Sequence, residues 1–413
     1  MLDLSSVGRD EHLLGVFAVM LGAGLVASRL AARLRVPDLV AFLVLGALLG
    51  PHAAGVLDVP AGSPVESIAL TFGASYILFE GGLDVRLPLL REIGFTVGML
   101  ATVGVLITAG AVAGAGHLFL GMTWFQALLL GSCVAATDPA ALIPLFKQIR
   151  IRERVAQTVI CEAAFNDAVS AVLTFALLAA ATGGGAISGM TVATQFALQA
   201  GIGLLVGALL GFGAALAVGH SRYGFLRAHA TLVMLFTVMA AYAGAGLLGG
   251  SGFMAVFVAG IVVGNRESFG FQLSENAARH LHEYTETTSL VLRMLMFMLV
   301  GAKLDFGPLA GQWLGAAACI ACLIVVARPL AVLACALPDR KVKWSAREIL
   351  FMCWTRETGV IPAALAGMLL TSGIAGAQEI AAVIFGAIVV TLVLQGGTTR
   401  WVARGLGLHH PGA

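Results

Sequence analysis

The sequence predicts an all-α polytopic membrane protein, and three observations carry that expectation. Hydrophobic residues make up 59% of the 413 and charged residues only 11%, with a mean hydropathy of +0.96. A soluble chain carries about 25% charged residues. Apolar runs of about 20 residues, long enough to span a bilayer as helix, recur from end to end. Basic residues fall in alternate short loops, as expected of a chain threaded back and forth through a membrane with its positive loops inside.

Segmenting by that length rule gives about thirteen spans. The first seven cover ~11–34, ~37–56, ~64–82, ~94–119, ~124–147, ~152–182 and ~191–219. The remaining six cover ~229–248, ~251–265, ~284–303, ~311–337, ~345–371 and ~377–400. The first run is too long for a cleavable signal peptide and lacks an early basic region. One set of loops carries Arg29, Arg33, Arg35, Arg86, Arg91, Lys147, Arg150, Arg152, Arg154, Arg222 and Arg227, then Arg266, Arg279, Arg340, Lys341, Lys343, Arg347, Arg400 and Arg404. The opposite side has only Arg9 and Lys303. That asymmetry places the N-terminus outside and the C-terminus in the cytoplasm. No connection is long enough for a soluble domain, so the expectation is one transmembrane domain over about 1–404, a short tail over 405–413 and no regulatory domain in the chain.

Span five carries Thr137-Asp138-Pro139 with Pro144 five residues on. Proline removes a backbone donor inside a helix, and unwound backbone at membrane depth persists only where it lines a cavity or is buried in protein. Span twelve repeats the pattern with Thr355-Arg356-Glu357-Thr358-Gly359 and Pro362. Spans five and twelve run in opposite senses. An inverted repeat of spans one to six against eight to thirteen would set the two breaks face to face.

Span six is unbroken and carries Glu162, Asn166 and Asp167. Glu162 and Asn166 share a helix face, whereas Asp167 lies about 140° round from Glu162. The two carboxylates therefore divide their work, Glu162 to a structural salt bridge and Asp167 to a substrate, with permanent pairing to an arginine as the alternative for Asp167. Intramembrane ionisable groups cost roughly 2.5–3.5 kcal/mol each on insertion scales and usually pair. Arg328 suits either Asp138 or Glu162, Arg356 serves the other acid, and Arg293 either pairs or snorkels to the interface. Glu80 and Glu357 complete the set of acids at depth.

Gly203, Gly207 and Gly211 form a small-residue ridge on span seven, fit for an intrachain helix contact or for a dimer seam. The six cysteines, Cys319 and Cys322 included, read as small packing residues. None of the four lysines lies in a phosphate-binding loop, and Glu286 stands where an H-E-x-x-H zinc site beginning at His282 needs histidine. A primary pump or an enzyme is thereby disfavoured.

The chain resembles the monovalent cation:proton antiporters, specifically the electroneutral sodium/proton-exchanger (NhaP-like) branch. The motifs are Leu78-Phe79-Glu80-Gly81-Gly82-Leu83-Asp84, Ala136-Thr137-Asp138-Pro139, Glu162 with Asn166-Asp167, Phe253 to Gly260, and Arg328-Pro329-Leu330. The resemblance implies a homodimer in the cell membrane. Each chain would have scaffold helices over about 11–82 and 191–303, and a mobile core over about 94–182 and 311–400. Within the core, spans five and twelve would be crossed and discontinuous. It assigns Asp167, of the Asn166-Asp167 pair, as the ion-carrying acid, Thr137 as a second ligand of the monovalent cation, and Asp138 to charge pairing; Asn166 and Asp138 are expected beside them in the ion- and proton-binding group. Glu162, Arg328, Arg356 and Glu357 go to charge pairing. Two departures stand out: Ala163 follows Glu162 where relatives have serine, and Thr358 precedes Gly359 where relatives often have arginine.

The functional expectation is exchange of one monovalent cation (Na+, K+ or Li+) for one proton by alternating access, with a proton-coupled symporter or a cation channel as alternatives. Expected partners are membrane lipids, small inorganic cations and a second copy of the chain. Nucleic acid is not among them, and no cofactor is expected beyond the transported ions.

Overall fold

A computed structural model describes all residues except 1–3, 35–37, 52, 58, 60–62, 139–145, 147–150, 183–188, 220–225, 273–274, 304–306, 308–310 and 409–413. Pro139, Pro144, Lys147, Arg150, Arg35 and Arg222, used in the sequence reading, lie outside the described residues.

The described chain is helical throughout. In order the helices are α1 (Leu4–Leu34), α2 (Asp38–Leu49), α3 (Pro64–Asp84), α4 (87–120), α5 (Trp124–Ala135), α6 (Glu153–Thr182) and α7 (Gly189–Gly219). They continue with α8 (Ala230–Leu247), α9 (Gly252–Gly264), α10 (Glu275–Ala302), α11 (313–336), α12 (Ala346–Trp354), α13 (Val360–Thr371) and α14 (377–405). Eight segments are long and apolar enough to cross a membrane, while α2, α5, α9 and α13 are apolar but shorter. Length and composition thus account for eight of the expected crossings. The others fall on short helices, on the paired halves α12 and α13, and on α3, whose run contains Glu66, Glu80 and Asp84.

Local chemistry sets several boundaries. Thr123 caps α5 and Ser345 caps α12, each reciprocated by the side chain three residues on, Gln126 and Glu348. These capping boxes satisfy amide donors that the first helical turn leaves orphaned. α4, α11 and α14 each contain a π turn, at Leu100–Gly104, Leu323–Ala327 and Thr391–Gly396. In α11 the wide turn immediately precedes Arg328-Pro329. It absorbs the missing donor and the steric clash that proline brings to a helix interior.

Two groups of helices share one buried interior. α2 packs on α10, while α9 packs on α3, α7 and α8. α4 packs on α5 and α11, α5 on α6 and α14, and α13 on α14. Contacts of α6 with α9 and α7, and of α13 with α3 and α10, join the groups. The glycine ridge of α7 lies against α9: a Cβ at Gly203 would stand 2.7 Å from the Ser251 carbonyl oxygen, and one at Gly211 2.8 Å from Ala259 Cα. Of the two readings of that ridge, the structure shows the intrachain contact. In lipid, where apolar burial does not drive helices together, such close backbone approach supplies dispersion attraction.

Candidate functional site

The helical ladder stops at Ala135, leaving Ala136–Asp138 extended, and stops again between α12 and α13 over Thr355–Gly359. The two segments meet backbone to backbone: the Asp138 amide donates to the Glu357 carbonyl at 2.8 Å. Gly359 is required there by space, because a Cβ would overlap the Asp138 side chain.

Among the described residues three helix ends are thereby buried, each with orphan backbone groups and a partial charge. Side chains of opposite sign meet them. Arg356 Nη2 donates to the carbonyls of Val134 (2.8 Å) and Ala135 (3.0 Å), at the C-terminus of α5. Arg328 Nε donates to the Met352 carbonyl (2.8 Å) and its Nη2 to that of Thr355 (3.0 Å), at the C-terminus of α12. Gln395 Nε2 reaches the Trp354 carbonyl at 2.6 Å on the same end. At the N-terminus of α13, the Val360 amide donates to Asp138 Oδ2 at 3.4 Å. The guanidiniums sit on negative helix ends and the carboxylate on a positive one.

α6 runs past this junction as a rigid rail. Arg328 Nη1 and Nη2 grip Glu162 Oε1 and Oε2, the second bond at 3.0 Å, with both side chains 3% exposed. Of the two partners open to Arg328 in the sequence, the structure selects Glu162. Asn166 Nδ2 donates to Glu162 Oε1 at 3.2 Å and, more weakly, to Thr137 Oγ1 at 3.5 Å. Asn166 therefore bridges the ion pair to the unwound segment, leaving its own Oδ1 buried and without a partner among the described residues. Asp167 is 4% exposed, and the Thr137 backbone amide points at its carboxylate. Its Oδ1 is buried with no hydrogen-bond partner among the described residues.

Thr137, Asp138, Glu162, Asn166, Asp167, Arg328, Arg356 and Glu357 are thus all buried around one junction. Their pairing differs from simple acid-base matching. Arg356 caps carbonyls and forms no ion pair among the described residues, and Glu357 reaches no arginine, both of its carboxylate oxygens being buried without a partner. The charge-pairing role expected of those two residues is not what their contacts show. An extended segment directs its side chains by backbone geometry, so adjacency of Arg356 and Glu357 to the other charges in sequence did not make them partners. Arg293 pairs with Glu80 at 2.7 Å between α10 and α3, which answers its two readings in favour of pairing. Sequence reasoning missed Gln395, a polar side chain inside an otherwise apolar run, which was itself the available signal.

Two buried oxygens without a hydrogen-bond partner among the described residues, Asp167 Oδ1 and Asn166 Oδ1, near broken helices, suit either a proton or a desolvated alkali cation. Among the described residues no group of three or more His, Cys, Asp or Glu side chains is gathered as a multivalent metal would need.

The family model described as "Sodium/hydrogen exchanger, transmembrane" matches residues 16–405. The chain is 29% identical over 389 residues to the K(+)/H(+) antiporter NhaP2 of Shewanella oneidensis, covering 94% of this chain and 66% of that protein. It is 30% identical over 409 residues to the K(+)/H(+) antiporter NhaP of Alkalimonas amylolytica, covering 96% and 67%. With the Na(+)/H(+) antiporter ApNhaP of Aphanothece halophytica it shares 27% over 338 residues, 80% of this chain and 63% of that one. The chain therefore spans about two-thirds of the length of these relatives. Its fold is similar to that of the sodium proton antiporter MjNhaP1 from Methanocaldococcus jannaschii, with a TM-score of 0.79 at 24% identity over 95% of this chain and 98% of that one.

Proposed function

Because the chain belongs to the sodium/hydrogen exchanger family of integral membrane transporters, we propose that it exchanges a monovalent cation for a proton, one for one, by alternating access at Asp167. The observation that supports this is a buried carboxylate oxygen, Asp167 Oδ1, with no hydrogen-bond partner among the described residues, and the same state of the Oδ1 of the preceding residue, Asn166. A buried charge without a partner is costly unless a proton or a cation joins it, and exchange uses that instability to demand one or the other. Thr137, whose hydroxyl already faces Asn166, is the second cation ligand. Asp138 holds the α13 N-terminus and transmits occupancy to the junction.

Asn166 is neutral, so Asp167 is the one carrier carboxylate in this scheme and each cycle moves no net charge. Relatives named for K(+) and for Na(+) both occur, and the cation proposed is Na+ or K+, with Li+ as a third candidate. The α4–α6 and α11–α14 group would move against α1–α3 and α7–α10, with two copies forming a dimer in the cell membrane, N-terminus outside and C-terminus inside.

The test is dye-reported proton movement in proteoliposomes titrated with Na+, K+ and Li+. Saturable, cation-dependent proton exchange that disappears in a well-folded Asp167→Asn protein is expected. Current without obligatory proton movement would replace the exchanger by a channel. Cation and proton moving in the same direction would replace it by a symporter.

A further inference from the structure

At the same helix break lies a second buried carboxylate that the exchange scheme leaves unused. We propose that Glu357, with Gln395, forms a second monovalent-cation site against the π turn of α14. Glu357 is 1% exposed and Gln395 0%. Both Glu357 carboxylate oxygens are buried with no hydrogen-bond partner among the described residues.

The surroundings offer oxygens rather than donors. Gln395 Nε2 donates to the Trp354 carbonyl at 2.6 Å, and its Oε1 is buried without a partner among the described residues. The next residue, Gly396, gives the carboxylate its berth: a Cβ there would stand 3.1 Å from Glu357 Oε1. The break is fastened to the same turn by the Thr358 amide, which donates to Thr391 Oγ1 at 3.0 Å. Thr358 contributes one more buried hydroxyl without a partner. No arginine bonds to Glu357 among the described residues: Arg328 holds Glu162 and α12 carbonyls, and Arg356 Nη2 holds the α5 carbonyls, its Nη1 being buried without a partner among the described residues. Asp138 faces Glu357 with a like charge.

Buried charges are paired or hold a cation, and carboxylate and carbonyl oxygens at the C-terminal end of a half-helix suit an alkali cation. A proton on Glu357 would balance the same charge, and the experiment separates the two.

Binding of radioactive sodium and rubidium is measured on the full chain in lipid nanodiscs, in an Asp167→Asn background. The site predicts a saturable component that survives Asp167→Asn, is lost in Asp167→Asn/Glu357→Gln, and is weakened in Asp167→Asn/Gly396→Ala. The three atoms nearest the alanine methyl all belong to the Glu357 side chain, so this variant probes the site even if Glu357→Gln fails to fold. Absence of residual binding in Asp167→Asn, with the protein folded, overturns the cation site in favour of a proton. Residual binding indifferent to Glu357→Gln or to Gly396→Ala overturns it as well. Exchange that persists in Asp167→Asn would instead sink the Asp167 scheme and leave the Glu357 site standing, so the two failures are distinct.

Discussion

Arg328 does three jobs with one guanidinium: it neutralises Glu162 and satisfies the carbonyls of Met352 and Thr355. Truncating it would leave a buried carboxylate and two helix-end carbonyls unmatched. Removing one partner of a buried pair costs about 3–5 kcal/mol, so Arg328→Ala is expected to lower the melting temperature in detergent sharply. Replacing Glu162 by Gln in the same protein should recover part of the loss, and an unchanged melting curve for Arg328→Ala would show the pair to be dispensable. Gly359 poses a steric constraint of a different kind. Gly359→Ala places a methyl into the Asp138 side chain, so the crossing must part. Loss of exchange with secondary structure retained by circular dichroism is expected, and normal exchange would show that the junction tolerates separation.

At the scale of elements, broken helices survive at depth because their ends are supplied with charge and donors from other helices. A further network ties the ends of four elements around the connection between α11 and α12. Thr96 on α4 donates to Asp339 Oδ2 at 2.6 Å and accepts from Trp344 Nε1 at 2.9 Å. Arg154 of α6 lies over the Trp344 ring at 5.4 Å and grips Glu348 of α12 at 2.6 Å. Burial works to raise the Asp339 pKa, but the Thr96 hydroxyl and the amides of Val342 and Lys341 outweigh it and hold the carboxyl below its ordinary value. A depressed carboxylate stabilises the fold fully above its unfolded pKa, about 3.9, and loses that contribution as pH falls through the lower folded value. Thr96→Val should therefore cost about 1.5–3 kcal/mol at neutral pH, the worth of a hydrogen bond to a charged group. Wild-type and variant melting temperatures should converge as pH is lowered beneath that range. A gap independent of pH would assign the loss to packing of the hydroxyl alone.

For the molecule as a whole, a single carrier acid makes the cation and the proton competitors. Low pH starves the cation half-cycle and high pH starves the proton half-cycle, so exchange in proteoliposomes should trace a bell against pH. Raising the cation concentration should move the acidic limb to lower pH, and an imposed membrane potential should leave the exchange equilibrium unchanged. A limb that stays fixed, or a potential generated by steady exchange, would require a second carried charge. Occupancy of the Glu357 site that cycles with transport is one arrangement that would supply it.

Composition, apolar run length and loop charge determined by themselves that this is an all-helical membrane protein. The polar interruptions at Thr137-Asp138 and Thr355–Gly359 marked the two non-helical segments that meet at the candidate site. These signals are legible because lipid penalises every unsatisfied polar group, so any polar residue at depth advertises a purpose. The α6 wheel likewise separated Glu162 from Asp167 before any contact was known, since helix geometry is local. Only the tertiary structure decided who pairs with whom: Arg328 with Glu162, Arg293 with Glu80, Arg356 with carbonyls and Glu357 with no arginine. The same holds for the glycine ridge of α7, which meets α9. Partner choice depends on where backbones cross to within an ångström, and that is set by the packing of residues hundreds of positions apart rather than by any local pattern.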